Sequence, residues 1–285
     1  MSTPFSETTL TEARRLVERF SGRAGYFIHD LRTGESAGLN AGESFPTASM
    51  IKLPILVEMF YQTGDGRFGL DETRIVRAPD HVGGSGILRN LSPGLQLPLR
   101  DLAYLMMSIS DNTATNLLID LVGREAVNAR MVELGCPHLV LRHKIDFTHA
   151  WADADHLAVG TPEDFVRLME LVWRKSILTE SFCEEMLRMM AGVGAERAGR
   201  WLPINPYAAE MVSHGYPSEK TVHFAGKTGS LLGVRGQVAA VWGDDLAYIV
   251  SIMTDGSRDL SWGVDSEGSL FAAQLGQLLY ESLTK

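Results

Sequence analysis

Leu10, Ala13, Leu16, Val17 and Phe20 recur at three- and four-residue spacing, the period of a surface helix with one buried face. The pattern then changes. Ala24–Leu31, the turn residues Arg32-Thr33-Gly34-Glu35 and Ser36–Asn40 read as the two strands of a hairpin. From about Ser49 to about Trp201 helical spacing dominates, most clearly over 100–109, 113–122 and 161–174. The last of these opens on Thr161-Pro162-Glu163-Asp164: a capping residue, a first-turn proline and two acids facing the positive end of the helix. Beyond about His214 strand character returns in 221–227, 234–242 and 246–254, with Gly243-Asp244-Asp245 as the turn between the last two. Residues 268–283 form a closing helix with Leu270, Leu275 and Leu279 on one side.

This order predicts an α+β fold. A three-strand antiparallel group near the end must meet the first hairpin to hide its edge, giving one five-stranded antiparallel sheet flanked by the terminal helices. Residues 1–48 and 205–285 would form a discontinuous α/β lobe and 49–204 an inserted all-helical lobe, with a cleft between the two.

Composition narrows the possible partners. Of 285 residues, 45% are hydrophobic, and 26 Lys+Arg against 35 Asp+Glu leave a net charge of -9. So acidic a chain lacks the positive field that holds nucleic acid or an anionic membrane surface, and neither is an expected partner. Cys136 and Cys183 lie in apolar contexts and read as two reduced structural thiols, although a bridge between them is open. No apolar run at the amino terminus is long enough for a secretory signal and none elsewhere for a membrane span, so the expected location is the cytoplasm.

Three short motifs carry candidate chemistry. Ser49-Met50-Ile51-Lys52 opens an apolar helix, and spacing of three puts the hydroxyl and the amine on one face. A serine at a helix start also lies near outward-pointing N–H groups that can hold an oxyanion, which is what a Ser–Lys nucleophile needs. Alone the pattern is weak, since it recurs without meaning at Ser282-x-x-Lys285. Ser110-Asp111-Asn112 lies between two helices, where Ser and Asn can project into a cleft while Asp ties the turn or caps the next helix. Lys227-Thr228-Gly229-Ser230 follows a strand, and its amine and hydroxyls suit a carboxylate.

In this order the three motifs resemble those of class A β-lactamase-like serine hydrolases, within the penicillin-recognising serine enzymes. The resemblance covers nearly the whole chain: Phe45-Pro46 before the nucleophile, Asn112-Thr113-Ala114-Thr115-Asn116 within the second motif, Thr161-Pro162, and Lys227–Ser230 before an arginine-bearing strand. It implies a β-lactamase/transpeptidase-like fold, Ser49 as acylated nucleophile, Lys52 as its proton acceptor and Ser110 as relay to the leaving nitrogen. It further implies Asn112 on the substrate's side-chain amide and Lys227, Thr228 and Ser230 on its carboxylate. The N–H groups of Ser49 and Ser230 would form the oxyanion hole. Arg235 lies one residue short of the family's carboxylate-binding arginine. The implied substrate is a small molecule with a carboxylate and an amide or ester, and no cofactor is called for.

One departure stands out. Class A enzymes carry Glu-x-x-x-Asn in a loop whose Glu activates the deacylating water. Here no Glu lies between Glu133 and Glu163 and no Asn between Asn128 and Asn205, leaving Asp146, Asp153 and Asp155 as the carboxylates of that region. Acylation is therefore expected, with slow deacylation. A carboxylesterase, a penicillin-binding-protein-like peptidase and a non-catalytic β-lactam sensor remain as alternatives. His143, His149 and His156, six and seven residues apart, match no standard zinc spacing, and no metal is expected. The glycines of 83–87 read as a flexible rim to the cleft.

Overall fold

The computed structural model describes residues 5–150, 153–205, 207–215 and 221–284; Lys285 of the second Ser-x-x-Lys lies outside them. Helix α1 (Glu7–Arg19), capped by Ser6, leads into the hairpin of β1 (Arg23–Asp30) and β2 (Ser36–Leu39). The short strand β3 (Phe45–Pro46) is followed by a tight 3-10 turn, Ala48–Ile51, that runs straight into α2 (Lys52–Gly64). Strands β4 (Thr73–Val76) and β5 (Leu95–Pro98) pair with each other. Helices α3 (Leu99–Ser108), α4 (Asn112–Val122) and α5 (Arg124–Glu133) follow.

Next come β6 (Val140–Leu141), the single-turn α6 (Phe147–Ala150) and β7 (Ala158–Gly160), with β7 pairing both β3 and β6. Helices α7 (Pro162–Trp173), α8 (Glu180–Met189) and α9 (Ala208–Ser213) lead to β8 (His223–Leu231), β9 (Val234–Trp242), β10 (Ala247–Asp255) and the closing α10 (Glu267–Leu283). The main sheet has the order β2-β1-β10-β9-β8, and every pairing in it is antiparallel.

Strand parity divides the apolar residues between two cores, because successive side chains point to opposite faces. Tyr26, Ile28, Ala239, Val241, Tyr248, Val250 and Ile252 pack with Phe20 of the α1 end and Phe271, Leu275 and Leu279 of α10. The opposite face offers Ala225, Val238, Ala240, Ile249 and Met253 to the larger core, which includes Phe165, Leu168, Met169 and Val172 of α7. Being covered on both sides, β9 and β10 read as nearly continuous apolar runs.

The segment expected to be all-helical, 49–204, also carries the β4–β5 pair and strands β6 and β7, which form a second small sheet with β3 from just before it. Their strands are two to four residues long, too short for alternation to register in the sequence. Both cysteines are free and buried; burial pushes the Cys136 thiol up to about 12, so it is an inert packing group. No helix among the described residues is long and apolar enough to cross a membrane.

Candidate active site

The nucleophile candidate sits at a forced bend. Ala48 is buried and holds φ at 45°, a left-handed conformation costly for a residue with a Cβ. Its cost is borne by neighbours on both sides: Thr47 donates its N–H to Ala158 O (3.1 Å), and β8 runs edge-on against the 3-10 turn. Gly229 makes that approach possible. A Cβ there would collide with Thr47 O and lie 3.1 Å from the amide nitrogen of Ser49. In a 3-10 turn residues three apart eclipse, which suits Ser49 and Lys52 to one side, but the hydrogen bonds of the Lys52 amine go to Ser110 and Asn112 and none goes to Ser49.

Lys52 is fully buried, and its Nζ donates to Ser110 O (2.8 Å), Ser110 Oγ (2.9 Å) and Asn112 Oδ1 (2.8 Å). The first and second motifs are thus joined through this amine. Burial holds its proton affinity well below the ordinary lysine range. The nearby cation of Lys227 lowers it further, and Asp111 opposes both. All three donations describe the ammonium; in its neutral form the amine keeps two N–H donors and one lone pair, so one of these contacts is given up or, at Ser110 Oγ, reversed before it can take a hydroxyl proton.

Ser110 occupies the left-handed region (φ 57°), which turns α3 sharply into α4. Asp111 is the cap of α4: its Oδ1 accepts from Ala114 N (3.0 Å), and its Oδ2 accepts from Ile87 N (2.7 Å) and Leu88 N (2.9 Å). Asn112 donates its N–H to Ser85 O (3.1 Å) and its Nδ2 to Gly83 O (2.9 Å). The 83–87 loop, expected to be a flexible rim, is therefore tethered at both ends of this motif. Gly86 shows why glycine stands there: φ is 103° and a Cβ would strike the Asp111 carboxylate.

Ser49, Asn112 and Ser230 line one small cleft, with Asp146, Phe147 and Leu157 on its loop side. Lys227 is fully buried beside it, donating to Thr228 O (3.0 Å); burial and then the cation of Arg197 pull its amine down to about 7. Thr228 and Ser230 are half-buried on the same strand, β8.

Arg235 departs from the expected role. Being odd-numbered on β9, it shares the sheet face of Ala239 and Val241, toward α10. Its guanidinium donates to Leu231 O, Val234 O and Ser261 O and lies over Trp262. The arginine at the cleft is Arg197, which the sequence reading missed. It donates to Ser230 Oγ (2.5 Å), Gly229 O (2.9 Å) and Gly236 O (3.0 Å), and burial lowers it to about 10. Its glycine-rich surroundings, 192–199, contain no motif that would have marked it.

The loop opposite is hung on Asn116, whose amide bonds both the N–H and the C=O of Ile145 (2.9 and 3.0 Å). Of its three aspartates, Asp146 lines the cleft. Its Oδ1 accepts from Thr148 N (2.8 Å) and Thr148 Oγ1 (2.5 Å), with His149 Nδ1 3.1 Å from Oδ2, which holds the carboxyl down at about 2. Asp153 accepts from the N–H of Asp155 (3.0 Å), while burial raises the Asp155 carboxyl. His143 and His156 stack at 4.2 Å, and His149 stacks on His156 at 5.1 Å. Among the described residues no three His, Cys, Asp or Glu side chains are arranged to hold a metal ion.

An antiparallel five-stranded sheet backed by terminal helices, with a Ser-x-x-Lys turn, a Ser-Asp-Asn turn and a Lys-Thr-Gly strand converging on one cleft, defines a penicillin-recognising serine enzyme fold. The model of the β-lactamase enzyme family matches residues 9–283, and the chain belongs to that family. It is 25% identical to the β-lactamase regulatory protein BlaB of Streptomyces cacaoi, over 88% of this chain and 90% of that one. Among solved structures, a β-lactamase from Sphaerobacter thermophilus superposes with a TM-score of 0.85 at 28% identity, covering 98% of each chain. The structure of PBP-A superposes at 0.82 and 25% identity, over 98% of this chain and 96% of that one. A PBP-A variant is also solved as an acyl-enzyme complex with penicillin G.

Proposed function

We propose that this protein is a serine hydrolase acylated at Ser49 by β-lactams or related amides and esters that carry a carboxylate, and that it releases the acyl group slowly. The observation that carries this reading is the buried amine of Lys52, bonded across to Ser110 and Asn112 with a second cation nearby. Kept neutral, it takes the Ser49 proton as Oγ attacks the carbonyl carbon. The N–H groups of Ser49 and Ser230 receive the developing oxyanion. Ser110, already bonded to Lys52, passes the proton to the leaving nitrogen as the C–N bond breaks. Asn112 binds the amide of the substrate's side chain, and Lys227, Thr228 and Ser230 grip the carboxylate. Arg197, bonded to Ser230 Oγ, takes the part first assigned to Arg235.

Slow release follows from the loop. A carboxyl held at about 2 is a poor base for water at neutral pH, and Phe147 and Leu157 make that wall of the cleft apolar. A stable adduct also suits a regulatory role, the reading favoured by the likeness to BlaB. Intact-protein mass spectrometry after mixing with penicillin G should show one covalent adduct on Ser49, absent in Ser49→Ala. A chromogenic cephalosporin should give a burst followed by slow turnover. No adduct on the wild-type chain, or an adduct surviving in Ser49→Ala, refutes the assignment.

A further inference from the structure

A second constellation lies away from this cleft, on the sheet's opposite edge. His29 of β1 and Ser36 of β2 are direct cross-strand partners, and His29 Nδ1 lies 2.8 Å from Ser36 Oγ. On the other side of the ring, Nε2 lies 3.3 Å from Oε1 of Glu170, on α7. The three residues border a cavity of about 440 Å³ that shares no lining residue with the Ser49 cleft.

Elementary proton accounting sets the roles. An ionised carboxylate only accepts, and Arg174 Nε donates to the same Glu170 oxygen (2.6 Å). An imidazole proton on Nε2 lies on the side of the Glu170 carboxylate, at ion-pair distance and outside hydrogen-bond geometry. Nδ1 is left with its lone pair toward Ser36, whose hydroxyl donates to it. This is the tautomer a general base requires. The strand geometry supplies the rest. β2 is the edge of the sheet, so the N–H groups on its outer side point away from β1 and can meet a developing oxyanion.

We infer that Ser36, His29 and Glu170 form a second esterase site, with Ser36 and His29 as catalytic residues and Glu170 as the positioning residue. Ser36 Oγ attacks the ester carbonyl as its proton passes to His29; the C–O bond to the alcohol breaks and the alcohol leaves with that proton. Water then repeats the sequence, giving the acid and restoring Ser36. The lining selects the substrate. Glu163, Asp164 and Glu170 face the cavity with Arg167 and His138, and Arg174 is already committed to Glu170. Such a wall disfavours carboxylate-bearing β-lactams and admits small neutral esters.

The inference is independent of the proposal for Ser49 and is tested in the Ser49→Ala chain, where penicillin chemistry at Ser49 cannot contribute. A fluorophosphonate probe should label Ser36, located by peptide mapping, and the label should vanish in Ser49→Ala/His29→Ala. Hydrolysis of 4-nitrophenyl acetate should fall at least about tenfold in Ser49→Ala/Ser36→Ala, with its melting midpoint unchanged. Glu170→Gln should lower kcat for this ester while KM holds, a split that a merely structural role would not give. An unlabelled Ser36, or equal ester hydrolysis in Ser49→Ala and Ser49→Ala/Ser36→Ala, overturns the inference.

Discussion

Asp146 shows how one side chain can sit in the right place and still be unfit for a task. It lines the cleft beside Ser49, but both oxygens are committed to its own loop and its carboxyl is held at about 2. General-base catalysis is most effective when the base titrates near the working pH, and it contributes about 100- to 10,000-fold. Asp146→Asn should therefore change the lifetime of the penicillin adduct by less than about threefold, as followed by mass spectrometry after removing free penicillin. A collapse in the deacylation rate would make Asp146 the base after all. Spacing along the chain shows that Asp146 is available; the bonds from Thr148 and His149 show that it is spent. Arg235 teaches the same lesson: an arginine beside the right motif is visible in sequence, whereas the face its strand presents decides what it touches.

The contact that assembles the cleft is the one between β8 and the 3-10 turn, and it depends on the missing side chain at Gly229. Adding a methyl group pushes the strand off Thr47 and Ser49, moving Lys227 and Ser230 away from the proposed nucleophile together. A shift of about 1 Å can cost about 100-fold in rate, so Gly229→Ala should slow penicillin acylation by about that factor while the chain stays folded. Stopped-flow acylation alongside far-UV circular dichroism checks both halves, and an unchanged rate would mean that the strand yields without cost.

At this scale much was legible. The helices α3, α4, α7 and α10 are long enough for their apolar period to show, and the three motifs mark a helix start, a turn and a strand. The small strands β3, β6 and β7 are too short to leave a pattern. Arg197 is brought to Ser230, and Glu170 to His29, by tertiary packing between distant segments, which no local spacing encodes, whereas His29 and Ser36 meet across the hairpin itself.

For the molecule as a whole, the cleft is a stability cost. Lys52 and Lys227 are both fully buried and Arg197 is partly buried, all close enough to lower one another's proton affinity or that of a neighbour. In the folded chain the Lys227 amine titrates at about 7, against an ordinary value of 10.5. Below about 7 the amine is charged in both states, and the folded state bears the full penalty of keeping an ammonium out of water. Between about 7 and 10.5 the folded chain holds fewer protons than the unfolded one, so unfolding takes up a proton and stability climbs with pH across that window. Lys52 contributes in the same direction. Replacing buried charge by an apolar side chain of similar length removes the penalty, and such exchanges stabilise by about 1–4 kcal/mol. Lys227→Met should therefore raise the urea midpoint most at and below neutral pH. The gain should shrink toward 10.5, with part of the rise of the wild-type curve persisting through Lys52. On the proposed reading it should also lose acylation by carboxylate-bearing penicillins, because the amine proposed to grip the carboxylate is the same one that weakens the fold. Urea titrations of both chains across this range decide the matter. A variant whose stability runs parallel to the wild type would show that the buried amine has found compensation in the fold, and that the cleft carries no such cost.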